Sequence, residues 1–115
     1  MPTPGQNKRN CDDRVRDLVR SRGYCERCGN RSGPFEHAHI IRRRYSWTRT
    51  DERNGWCLCH CCHETVDSSV TEFNALVRGT IGWELFRELE AKSQRRDKFD
   101  WAAEVVRLKS LKASR

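Results

Sequence analysis

Two Cys-x2-Cys pairs, Cys25 with Cys28 and Cys59 with Cys62, constrain what this chain can fold into more than any other feature. A knuckle with two intervening residues turns both thiolates toward one ion, and two knuckles supply the four sulfurs of a closed tetrahedral zinc site. Two disulfides are the competing arrangement, and they need an oxidising compartment. The chain opens Met-Pro-Thr-Pro-Gly-Gln-Asn-Lys, with no apolar leader, so zinc and an intracellular location are expected instead. Cys57 and Cys61 leave a register alternative, Cys57-x-Cys59 or Cys61-Cys62, but only Cys59-x2-Cys62 repeats the first knuckle. Cys11, Cys57 and Cys61 then read as small buried or incidental thiols.

A chain of 115 residues, 36% hydrophobic and 34% charged, is one domain too short and too polar to rest on a large apolar core. Zinc compensates, because its binding energy becomes folding energy. The net charge of +7, from 23 Lys and Arg against 16 acids, favours a polyanionic partner, nucleic acid first. No stretch has the length and apolarity of a membrane span, and no membrane partner is expected.

Local patterns give an order of elements. Residues 1–9, with Pro2, Pro4 and Gly5, read as a flexible arm ahead of a single domain over 10–115. Asn10 caps a first helix that buries Val15, Leu18 and Val19 and ends at Gly23. After the Cys25 knuckle, Pro34 opens an extended run in which Phe35, His37 and His39 share one side by the two-residue period. Residues 42–54 show neither period and read as a long basic loop, of the kind that is functional or disordered. Trp56-Cys57-Leu58 is a second short strand, and the second knuckle leads into a helix near Cys61. Ser69 and Glu72 form a capping-box pattern for a helix with Val70, Phe73, Leu76 and Val77, closed at Gly79. Trp83, Phe86 and Leu89 mark another helix, and Asp100 caps a last one burying Trp101, Val105, Leu108 and Leu111. The fold class is therefore small zinc-stabilised α+β, with a motif core over about 24–70 and a helical extension over about 70–113.

Between the knuckles lie Ala38-His39-Ile40-Ile41, then Asn54, then Leu58-Cys59-x2-Cys62-His63. This order resembles the HNH endonucleases of phage and bacteria over the stretch from about Cys25 to Asp67. The resemblance implies a ββα-metal, treble-clef-like core pinned by the four cysteines and flanked by N- and C-terminal helices. It implies His39 as general base, Asn54 as the residue orienting it, and His63 as ligand of a catalytic divalent ion. Asp67, at i+4 from His63, falls on the same helix face and is the preferred second ligand. Members of the family often carry a ligand just before the base, where this chain has Ala38. His37, two residues before His39 and on the same side, is the candidate for a third ligand or a phosphate contact.

The resemblance also implies a reaction. His39 takes a proton from water as it attacks phosphorus, and an ion at His63 and Asp67 with open positions stabilises the phosphorane and the leaving 3′ oxygen. The closed four-cysteine zinc has no vacant position for such work. Cofactors expected are thus a structural Zn2+ and a second divalent ion, Mg2+, Mn2+, Ni2+ or Zn2+. Arg42, Arg43, Arg44, Arg49 and Arg53, with Tyr45 and Trp47 interleaved, suit phosphate contacts, so the expected partner is double-stranded DNA with weak sequence preference. An oligomer or a larger phage or bacterial complex is compatible with the helical extension. Two other readings share features: a zinc-stabilised DNA-binding module without catalysis, and a cross-brace or LIM-like interaction domain using Cys57 and Cys61 for a second zinc.

Overall fold

In the computed structural model, which describes residues 1–111, the first helix α1 (Pro4–Arg20) starts well before Asn10. Thr3 is its N-cap: the hydroxyl accepts from the Gln6 amide at 3.1 Å and the Gln6 side chain accepts from the Thr3 amide at 2.8 Å. Pro4 sits at the first helical turn, where a missing N–H leaves nothing unpaired. The arm expected over 1–9 is thus helical from Pro4 onward, because a reciprocal cap offsets the poor propensity of Gly5. Asn10 lies inside the helix and its side chain accepts from Arg14 Nε at 2.7 Å.

Two four-residue strands, β1 (Glu36–His39) and β2 (Gly55–Leu58), pair antiparallel with Glu36 opposite Leu58 and His39 opposite Gly55. Their alternation splits the interior in two. Ala38, Trp56 and Leu58 face a core completed by Cys25, Cys62, Val66, Leu76 and Val77. Cys57 faces the other core, with Cys11, Val15 and Val19 of α1. The buried Trp56 indole N–H donates to Thr80 Oγ1 at 2.9 Å, so its polar handle is satisfied.

The second knuckle runs into α3 (His60–Ser68), followed by α4 (Val70–Gly79), α5 (Gly82–Ser93) and α6 (Trp101–Lys109). Ser69 and Asp100 cap α4 and α6 by accepting from the Glu72 and Ala103 amides. Val70, expected inside, is 77% exposed, because it is the first residue after the cap and turns away from the core face carrying Leu76 and Val77. α6 packs along α1, with Val105 and Leu108 in the second core. Of the extension expected to about 113, residues 112 and 113 lie outside the described residues.

The segment 42–54 is not an open loop. It folds into a short helix α2 (Ser46–Arg49) and a 3-10 turn (Glu52–Asn54), and Thr48, Thr50, Asp51 and Asn54 are buried. What holds it is polar. Thr50 Oγ1 and Glu104 Oε2 are 2.6 Å apart, Arg107 bridges Glu104 to Glu52, and Asp51 accepts from Arg53 and from Lys92 at 2.8 Å. A segment whose interior contacts are hydrogen bonds has no apolar period to read.

Candidate active site and metal centre

The four cysteine sulfurs converge from two knuckles held by backbone bonds. Cys25 N donates to Asn30 O and Gly29 N to Cys25 O, both at 2.8 Å, with Gly29 in the left-handed conformation that closes the turn (φ 80°). Glu26 N donates to Cys57 O at 2.8 Å and ties the first knuckle to β2. The ligand atoms of Cys25, Cys28, Cys59 and Cys62 all lie within 4.8 Å of one another, with Cys28 and Cys59 Sγ 3.9 Å apart. Burial opposes ionisation of Cys25, but amides of Cys28, Cys59 and Arg27 outweigh it and bring the thiol down to about 6. Burial and the neighbouring sulfurs push Cys62 up to about 12, against the pull of Arg27 at 3.4 Å. Four sulfur donors this close, in a closed set, could hold a zinc ion, which would take them as thiolates. Among the remaining thiols Cys11 and Cys57 are buried and Cys61 is exposed; burial, helped by Glu104 and Asp12, raises Cys11 to about 11.

His37, His39 and His63 line one cleft of about 660 Å³ between α1, β1 and α3, together with Arg9, Arg16, Arg20 and Arg43. The strand period places His37 and His39 on the same face, rings 4.2 Å apart and tilted 34°. His39 Nε2 lies 3.0 Å from the carbonyl oxygen of Arg49. A carbonyl only accepts, so this nitrogen carries the hydrogen and Nδ1 keeps its lone pair. Burial, with Arg43 and Arg49 nearby, lowers the His39 pKa despite that bond, so the ring is neutral at pH 7. His37 is driven further, to about 3, by burial and by His39. Its Nε2 is buried with no hydrogen-bond partner.

Asn54 is fully buried, and its side chain acts on the strand end. Oδ1 accepts from Ile41 N at 2.8 Å, Nδ2 donates to Ile41 O and Thr48 O at 3.1 Å, and Asn54 O accepts from Ile40 N at 2.9 Å. The bond to the His39 ring expected of Asn54 is made instead by Arg49 O; Asn54 fixes α2 and the exit of β1, and so holds both partners of that contact. His63 stands on the first turns of α3, with Nδ1 2.7 Å from Glu36 Oε1 and Nε2 3.4 Å from Asp67 Oδ2. A carboxylate on one imidazole nitrogen orients the other as a metal ligand. Glu36 also meets His60 Nδ1 at 3.1 Å, and these two histidines hold its carboxyl below the usual range. Among the described residues, the four cysteines form the only group of three or more His, Cys, Asp or Glu side chains placed to hold one metal ion, so His37 is not gathered with His63 and Asp67.

The five arginines separate into two kinds. Arg49 makes a bidentate pair with Asp12 at 2.8 Å and is mostly buried, while Arg53 pairs with the buried Asp51, so both are committed to the fold. Arg42, Arg43 and Arg44 are exposed. Sequence reasoning missed Glu36 and Asp12. Glu36 falls on the opposite strand face from His37 and His39, and only the placement of α3 over that face reveals its role. Asp12 reads as a helix-start acid, yet it anchors the arginine whose carbonyl meets His39. Comparison with protein-family models, with curated proteins and with solved structures returns no match.

Proposed function

We propose that the protein is a metal-dependent DNA endonuclease of the HNH type. The observation that carries this reading is His39: a neutral imidazole with its tautomer set by Arg49 O, opening on a cleft walled by arginines and His63. His39 Nδ1 takes a proton from a water whose oxygen attacks phosphorus, the P–O3′ bond breaks, and the proton passes to the 3′ oxygen. The products carry 5′-phosphate and 3′-hydroxyl ends. His63 and Asp67 would hold a divalent ion, which would supply neutralisation of the phosphate and of the leaving oxygen. Arg9, Arg20 and Arg43 draw the phosphate backbone of DNA into the cleft, with little regard to sequence. Cys25, Cys28, Cys59 and Cys62 would hold a closed zinc that ties the first knuckle to α3 and takes no part in the reaction. Among the described residues, no helix is long and apolar enough to cross a membrane.

The test is cleavage of supercoiled plasmid by zinc-loaded protein and by His39→Ala, with EDTA or with added Mg2+, Mn2+ or Ni2+. Metal-dependent nicking that falls at least about 100-fold in the variant supports the reading, since a positioned general base contributes that much. Tight DNA binding without cleavage under any metal would make the protein a zinc-stabilised binding module.

A further inference from the structure

Away from the histidine cleft, aromatic rings and cations gather where α2 meets the segment joining α5 to α6. Trp47, Phe99 and Trp101 stack edge to face in a row, with centroids 4.9 Å and 4.6 Å apart. All three are half-buried. Phe99 and Trp101 line two grooves, of about 450 and 480 Å³. Arg95 lies 3.4 Å above the Trp47 ring, Lys8 5.6 Å from Trp101, and Arg44 4.9 Å from Tyr45. Arg96 and Lys98 line the 450 Å³ groove, are exposed, and have no ion pair or hydrogen bond among the described residues. The row has a structural duty as well, for Trp47 Nε1 donates to Asp97 O at 2.9 Å and fixes the α5–α6 segment. That duty does not account for two unpaired cations beside half-buried rings.

We propose that this aromatic and cationic face binds an unpaired stretch of single-stranded DNA, with bases against Phe99 and Trp101 and phosphates against Arg96 and Lys98. A positively charged groove tracking a backbone beside aromatic stacking faces is what a single strand requires. A duplex keeps its bases stacked inside and gains only from the charges. The chain itself links the face to the histidine cleft: Arg43 lines the cleft and the next residue, Arg44, lines the aromatic groove. Building on the nuclease reading, this makes the preferred substrate DNA in which a single-stranded stretch adjoins the position to be cut.

The experiment is titration of the zinc-loaded full chain, without added divalent ion, against a labelled oligothymidylate of about a dozen nucleotides, a length suited to one such groove. A blunt duplex of equal length and a matching oligouridylate run in parallel. Tryptophan fluorescence reports stacking and anisotropy reports affinity. The expected result is quenching by the oligothymidylate and at least about five-fold weaker binding in Phe99→Leu, with duplex affinity unchanged. Should Phe99→Leu fail to fold by circular dichroism, Arg96→Glu with Lys98→Glu removes two cations that make no internal bond. That pair is expected to weaken oligothymidylate binding and lower its salt slope by about 1.4. The proposal is overturned if no quenching occurs, if the variants bind the single strand as the unaltered protein does, or if oligouridylate is preferred. Plasmid nicking with His39→Ala judges the nuclease reading separately, so either can fail alone.

Discussion

Gly55 stands opposite His39 in the hairpin, and an alanine there would place its Cβ 2.7 Å from His37 Nε2, 2.9 Å from His37 Cδ2 and 3.0 Å from Val19 Cγ2. The backbone itself raises no objection, since φ is −131° and ψ 139°, open to any residue. If the site could absorb a methyl group, Gly55→Ala would stabilise by about 0.4–1 kcal/mol through the unfolded chain. It cannot do so cheaply. The His37 ring is backed by the His39 ring 4.2 Å away, and Val19 closes on the same spot, so the methyl must displace His37 or Val19. Overpacking of that kind costs about 1–3 kcal/mol. At about 4 °C per kcal/mol for a domain of this size, the melting temperature should fall by about 4–12 °C. Thermal unfolding of zinc-loaded protein followed by circular dichroism measures it. Combining the change with His37→Ala should shrink the cost to under about 1 kcal/mol, because the principal clash is then gone. A Gly55→Ala protein as stable as the parent, or an equal cost in both backgrounds, would refute the packing argument.

Cys28→Ser should reduce bound zinc from one equivalent to none and replace cooperative unfolding by a gradual transition; full zinc occupancy in the variant would show that Cys28 is not a ligand. Asp51, nearly fully buried, is held well below the usual carboxylate range because hydrogen bonds from Arg53 and Lys92 outweigh the opposing effect of burial. Its folded pKa lies below the unfolded one, so its contribution is present above about pH 4 and is lost as pH falls toward the folded value. Asp51→Asn should therefore cost about 1–3 kcal/mol at pH 7, with the gap in urea unfolding narrowing below pH 4; a gap that does not depend on pH contradicts this. For DNA cleavage, burial and the nearby arginines lower the His39 pKa, so the acidic limb of kcat/KM should fall below pH 6.5. A limb at or above 6.5 would mean that His39 is not the titrating base.

The parts of this chain that were legible in its sequence are those governed by local rules. The Cys-x2-Cys spacing located the sulfur cluster, because a knuckle is a short-range geometric device and its ligands need no distant residue to be recognised. The caps at Ser69 and Asp100, and the shared side of His37 and His39, followed from turn chemistry and strand period. Thr3 was equally local and was passed over, because Pro2, Pro4 and Gly5 suggested an arm where they flank a capping box. The segment 42–54 failed for another reason. Its buried residues are Thr48, Thr50, Asp51 and Asn54, whose partners include Glu104 and Lys92, far along the chain.

Sequence alone determined the four-cysteine group that could hold zinc, the two short strands between and beside the knuckles, and the strand face on which His39 lies. These depend on spacing and period, which one strand or one turn expresses by itself. Only the tertiary structure decided which groups work on the histidines. Arg49 was read as a phosphate contact, yet its guanidinium is spent on Asp12 of α1 and its carbonyl meets His39. Glu36 had no reading, yet α3 packs so that it meets His63. A charged side chain's partner is whichever opposite charge or dipole the packing brings within about 3 Å, and no local pattern encodes that.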